Sequence, residues 1–140
     1  LFTSRLYEFL YHLCRSYSHQ IPSASLTGSQ RDLQRVTHVM NWVKVHYPEP
    51  LSLETAADSL ALSKEYFCRL FKKYTGQTFL EYLNDVRTMH LYEDLQNSDE
   101  TITVLMEKNG LSNYKIFMRT FKKLYGSTPQ KMRSNRIRHV

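Results

Sequence analysis

RLFKKYTG, Arg69–Gly76, and RTFKKLYG, Arg119–Gly126, are one phrase written twice at an offset of 50 residues. The match extends both ways. Ser63 pairs with Asn113, Phe67 with Phe117, Arg69 with Arg119, Phe71 with Phe121, Gly76 with Gly126 and Thr78 with Thr128. Ser and Asn are good N-caps, and a closing glycine takes the left-handed conformation that ends a helix. Each copy therefore predicts a helix, over about 64–75 and about 114–125. Phe67, Leu70, Phe71 and Tyr74 recur at i, i+3, i+4 and i+7, so they share a core-facing stripe. Glu65, Cys68, Arg69 and Lys72 follow the same spacing on the opposite face, where the second copy has Lys115, Met118, Arg119 and Lys122.

A shorter amphipathic segment precedes each copy: SLETAADSLAL, Ser52–Leu62, and TITVLMEKNGL, Thr101–Leu111. A short helix, a tight turn and a helix with a basic outer face form the helix-turn-helix layout. There the first helix braces the second, whose outer face fits a major groove about 12 Å wide. Arg reads guanine edges in bidentate fashion and Lys pairs with phosphates at the groove rim. Between the copies, about Thr78 to Asn97, Phe79, Tyr82, Leu83, Val86 and Leu95 mark one long helix. Its twenty or so residues span about 30 Å, close to the ~34 Å repeat of one turn of DNA. The duplication then lets one chain place two reading helices in successive major grooves of double-stranded DNA.

No stretch of the sequence alternates as a half-buried strand does. The fold expected is all-α, with two helix-turn-helix subdomains joined by a long central helix, about seven helices in all, preceded by an extra N-terminal helix. Residues 1–18 supply that extra helix, with Phe2, Leu6, Phe9, Leu10 and Leu13 at helical spacing and tyrosines on the other side. HQIPSASLTGSQ, residues 19–30, reads as a linker broken by Pro22 and Gly28, with Ser29 and Asp32 opening the next helix. That helix is expected to bury Leu33, Val36, Met40 and Val43 and to stop at YPEP, Tyr47–Pro50. The first residue is Leu1, so the chain is expected to be a piece of a longer protein. On this reading residues 1–30 end a missing sensor or dimerisation domain. Residues 31–97 form the first subdomain with the connecting helix, and 98–140 the second.

Composition supports a nucleic-acid partner. The 140 residues carry 19 Lys and Arg against 13 Asp and Glu, a formal net charge of +6. No apolar run approaches the ~18 residues that cross a bilayer. Two cysteines, Cys14 and Cys68, have no CxxC spacing, which suits a reducing cytoplasm. His12, His19, His38, His46, His90 and His139 are scattered without metal-ligand spacing. No Gly-rich phosphate loop or carboxylate pair appears, so neither an enzyme nor a bound cofactor is expected.

With these motifs in place, residues 33–136 resemble the DNA-binding domain of the AraC/XylS family of bacterial transcription regulators. The most specific stretch is GLSNYKIFMRTFKKLYGSTPQKMR, Gly110–Arg133. The resemblance implies a cytoplasmic regulator, typically an activator, that binds promoters and meets RNA polymerase. It also implies a ligand-sensing or dimerising domain N-terminal to this one, so a homodimer through that domain or the N-terminal helix is expected. Carried over by position, the base-reading sites fall on Glu65, Cys68 and Arg69, and on Tyr114, Lys115, Ile116 and Arg119. Backbone contacts are expected from Ser63, Lys64, Lys72, Lys73, Asn113, Lys122 and Lys123, and from Lys131 and Arg133 of a last helix opened by Thr128 and Pro129. The chain departs from the family pattern in three places. Ala61 stands at the first turn glycine, Met106 stands where a small Ala is usual, and Leu91 and Tyr92 are bulkier than the family's central helix usually carries. The competing reading is a protein–protein interaction module whose basic faces bind an acidic partner such as RNA polymerase.

Overall fold

The structure, a computed structural model, describes residues 27–139. The described residues form seven helices and no strand: α1 Gly28–His46, α2 Leu53–Ser59, α3 Lys64–Thr75, α4 Phe79–Asn97, α5 Ile102–Lys108, α6 Tyr114–Tyr125 and α7 Pro129–Arg138. The expected N-terminal helix over 1–18 lies outside the described residues.

Local chemistry sets the boundaries. Every helix opens on a Ser, Thr or Asn whose side chain accepts a backbone N–H three residues on, each cap being worth about 1 kcal/mol. The start of α1 differs from the expected Ser29. Thr27 Oγ1 accepts from Gln30 N at 3.4 Å, and Gln30 Oε1 accepts from Thr27 N at 2.9 Å. This reciprocal box satisfies two orphan donors where Ser29 alone would satisfy one, and the Ser29 hydroxyl instead lies 3.2 Å from that of Tyr74. The stripe of α1 is also corrected: Val36, Val39 and Val43 are buried, Met40 is partly buried, and Leu33 is 46% exposed. Leu33 sits on the first turns, beyond the reach of the core beneath Val36.

Two cores follow. The first joins α1, α2, α3 and the first half of α4 around Phe67, Phe71, Phe79 and Leu83. Phe67, Phe71 and Phe79 meet pairwise with centroids 5.6–5.8 Å apart, tilted or edge-on, which is a favourable aromatic geometry. The second joins the latter half of α4 to α5 and α6 around Leu91, Leu95, Leu105, Phe117 and Phe121. Tyr92 stacks on Tyr125 at 4.1 Å, and Met106 fills the second core at 6% exposure, so the three bulky departures Met106, Leu91 and Tyr92 are all packed. Helix α4 thus closes the first unit and opens the second.

The helix-turn-helix turns are not equal in length. Ala61 and Gly110 both adopt positive φ, 53° and 76°. In each turn the next residue, Leu62 or Leu111, donates its N–H back to the carbonyl of Ala57 or Met106. Those equivalences run at an offset of 49, whereas the caps Ser63 and Asn113 are 50 apart. The second turn therefore holds one extra residue, Ser112, before α6 begins.

Two arginines tie the units down. Arg87 of α4 donates from Nε to the Tyr47 carbonyl and from Nη2 to the Glu49 carbonyl, both at 2.7 Å, closing the C-terminus of α1. Arg136 of α7 likewise donates from Nη1 to the carbonyls of Leu95, Gln96 and Ser98 at the end of α4. Helix C-terminal carbonyls lack partners and carry partial negative charge, so each guanidinium satisfies both needs.

Candidate nucleic-acid interface

Helices α3 and α6 bury one face and present the other. Phe67, Leu70 and Phe71 are buried in α3, and Phe117, Thr120, Phe121 and Leu124 in α6. The turn before each helix holds it against a short brace, α2 or α5, through the backbone bonds just described. Glycines end both: Gly76 at φ 77° and Gly126 at φ 71°, each donating its N–H to the carbonyl of Lys72 or Lys122.

Every base-reading position named from the sequence is accessible. Glu65, Cys68 and Arg69 of α3 are exposed, as are Tyr114, Lys115 and Arg119 of α6; Ile116 is partly exposed. The Tyr114 ring leans on Phe117 at 6.4 Å and is 54% exposed, so it projects from the start of α6 on a fixed base. Arg69, Lys115, Arg119 and Lys122 form no ion pair among the described residues, and their charges face solvent.

The other candidates divide by what they touch. Ser63 Oγ accepts from Tyr66 N at 3.2 Å and Asn113 Oδ1 from Ile116 N at 3.0 Å, so both caps organise the N-termini that would face phosphate. Lys64 is held by Glu54 of α2 at 2.7 Å, which raises the Lys64 pKa and lowers that of Glu54; both side chains are exposed. Lys72 is exposed, and exposed Lys73 lies over the Tyr74 ring at 5.4 Å. Lys131 is exposed, whereas partly buried Arg133 donates to the Glu100 carbonyl and braces the loop before α5. Lys123 is engaged by the protein: its Nζ donates to Asp85 Oδ1 of α4 at 2.7 Å, although its side chain is 49% exposed.

Asp85, Arg87 and Arg136 escaped the sequence reading. Asp85 left one trace, a carboxylate one turn from Tyr82 on the stripe that the apolar residues of α4 define. Among the described residues no three His, Cys, Asp or Glu side chains gather as a metal site would need, and no helix is long and apolar enough to cross a membrane.

A family model described as a helix-turn-helix domain matches residues 56–135. The transcriptional activator RhaS of Escherichia fergusonii is 31% identical over 111 residues, covering 79% of this chain and 40% of RhaS. The chain spans only 14% of an uncharacterised HTH-type transcriptional regulator of Staphylococcus aureus, with 33% identity over 102 residues. Among solved structures, an AraC-type transcriptional regulator of Chromobacterium violaceum superposes with a TM-score of 0.62 at 28% identity, over 78% of this chain and 95% of that one. The DNA-binding domain of AdpA, solved in complex with a target DNA, gives a TM-score of 0.65 at 25% identity over 72% of this chain and 91% of that one.

Proposed function

The chain belongs to the AraC-type helix-turn-helix family, and from that premise we propose that it regulates transcription by binding duplex DNA at a specific sequence. One observation carries the proposal: two braced helices with outward Arg and Lys stand at the two ends of one shared helix. Nineteen residues make that helix about 28 Å long, within reach of the ~34 Å that separates successive major grooves on one face of the duplex.

In this reading α3 addresses bases with Glu65, Cys68 and Arg69, and α6 with Tyr114, Lys115, Ile116 and Arg119. The two arginines suit guanine, the Glu65 carboxylate suits the cytosine amino group, and Ile116 suits the thymine methyl. Lys64, Lys72, Lys73, Lys122 and Lys131, with the N-termini capped by Ser63 and Asn113, meet phosphates and set the register. Arg133 steadies the loop before α5 beside them. Cys68 is the one uncharged small side chain on the α3 face, where it lets a base edge approach closely. A regulator held at a promoter also meets RNA polymerase, and that contact belongs to the proposal. So does self-association through residues 1–30, which sedimentation of the chain with and without them tests.

The deciding experiment selects bound duplexes from a random pool, then titrates the winner and a scramble by fluorescence anisotropy over a range of salt. Two short conserved blocks about one helical turn apart, bound far more tightly than the scramble, are expected. Arg69→Ala should relax preference in one block and Arg119→Ala in the other, each by about 1–3 kcal/mol. Equal, steeply salt-dependent binding to both duplexes would refute sequence reading and leave an electrostatic patch for an acidic protein.

A further inference from the structure

Asp85 is 3% exposed, and its partner Lys123 lies on the reading helix α6. Burial pushes the Asp85 pKa up, with Lys123 pulling it back, the Glu81 carboxylate adding to the push and the Gln77 side chain opposing it. The second carboxylate oxygen, Oδ2, is buried and has no hydrogen-bond partner in the protein. A carboxylate half satisfied in this way is a poor source of stability, because desolvation offsets most of the attraction. Its geometric effect is definite. Lys122 and Lys123 are neighbours in sequence and both are exposed, yet Lys122 forms no ion pair among the described residues while the Lys123 ammonium is held by Asp85 of α4. The bond joins the half of α4 that packs in the first core to the reading helix of the second unit.

Resting on the DNA-reading function above, we propose that Asp85 is a positioning residue: it withholds Lys123 from the DNA backbone and fixes α6 against α4, so that both reading helices engage DNA as one rigid body. The chain then accepts one separation between the two sequence blocks. Lys123 contributes orientation, and phosphate attraction in α6 comes from Lys122.

The test compares the wild type with Asp85→Asn, Lys123→Gln, Lys122→Gln and the double variant Asp85→Asn/Lys123→Met, each checked for its helical spectrum. Binding is titrated against the selected duplex and against duplexes with one base pair added or removed between the blocks, over a salt series. The wild type should strongly prefer its own separation. Asp85→Asn should lose most of that preference and steepen the dependence of log K on log salt by about 0.9, since a neutral amide holds Lys123 more weakly than a carboxylate and the ammonium turns to a phosphate. The double variant should stay relaxed in separation but return to the wild-type slope. Lys122→Gln should lower the slope by about 0.9, whereas Lys123→Gln, which keeps a donor for Asp85, should leave it unchanged. That last pair decides the matter even should Asp85→Asn fail to fold. A drop in slope for Lys123→Gln equal to that for Lys122→Gln, or retained separation preference in Asp85→Asn, overturns the proposal. A wild type that binds selected and scrambled duplexes alike overturns the DNA-reading function itself, a separate outcome.

Discussion

Gly110 lies against Arg87 and the end of α1. A Cβ added there would sit 2.8 Å from the Pro48 carbonyl oxygen, 3.0 Å from Arg87 Nε and 3.1 Å from the Tyr47 carbonyl oxygen. Two of those three neighbours are backbone, and the third is fixed by its own bond to Tyr47, so none yields cheaply. The turn of the second unit is thus pressed onto the stop signal of the first helix. Gly110→Ala should cost about 3 kcal/mol, from the positive φ and the collision together. Gly126 has a similar φ but no atom within 4 Å of its would-be Cβ, so Gly126→Ala should cost only about 1 kcal/mol. Urea unfolding of both variants checks the contrast, and equal losses would mean that the contact at Gly110 carries no weight.

Ala61 holds φ at 53°, a conformation that strains any residue with a Cβ, and it is exposed. Ala61→Gly removes that strain at the cost of a floppier unfolded chain, so a net gain of up to about 1 kcal/mol is expected. A lower urea midpoint would show that the turn relies on the methyl group.

Because burial raises the Asp85 pKa above its ordinary 3.8, the folded chain holds this proton to higher pH than the unfolded chain does. The sign follows from proton linkage: this group favours folding below pH 3.8, and that favour is lost as pH rises through the raised value. Asp85→Asn should therefore gain stability relative to wild type as pH climbs from 3.8 toward neutrality. Thermal unfolding of both proteins across that window measures the difference. A difference that shrinks with pH would mean that the Lys123 bond outweighs desolvation.

Arg136 donates to three carbonyls at the end of α4 and to Asp99. The carbonyl bonds carry the energy, since Asp99 is 94% exposed and its ion pair is screened. Arg136→Ala should cost about 1.5–3 kcal/mol and speed amide exchange in the last turn of α4, while Asp99→Ala should do little. Comparable losses in both variants would shift the weight to the ion pair.

Repetition made most of this fold legible. Phe67, Leu70 and Phe71 and their second copies announced two buried stripes by spacing alone, and Ser63, Asn113, Gly76 and Gly126 announced the ends. The exposure of the proposed reading positions followed, because residues off the stripe face out. Leu33 misled because periodicity reveals a face but not where the core beneath it stops. Thr27 was hidden by Gly28, whose helix-breaking tendency is weak beside a capping box. The destination of Lys123 was invisible for a deeper reason. Lys123 stands in the same FKK phrase as Lys73, and its destination is set by the approach of α4 carrying Asp85.

The sharing of α4 between two cores has a consequence for how such a chain can change over generations. Each residue added to a helix turns everything beyond it by about 100° and advances it by only ~1.5 Å. One base pair of DNA turns by roughly 34° and rises about 3.4 Å. A single insertion in α4 would therefore swing α6 off the face of the duplex that α3 occupies, and no neighbouring operator spacing would match. A seven-residue insertion nearly restores the phase of the helix, missing by ~20°, but lengthens it by about 10 Å, and the three base pairs that cover that distance turn the groove by about 100°. Site spacing in this lineage is thus locked, and recognition has room to drift only through the side chains at fixed stations along each reading helix.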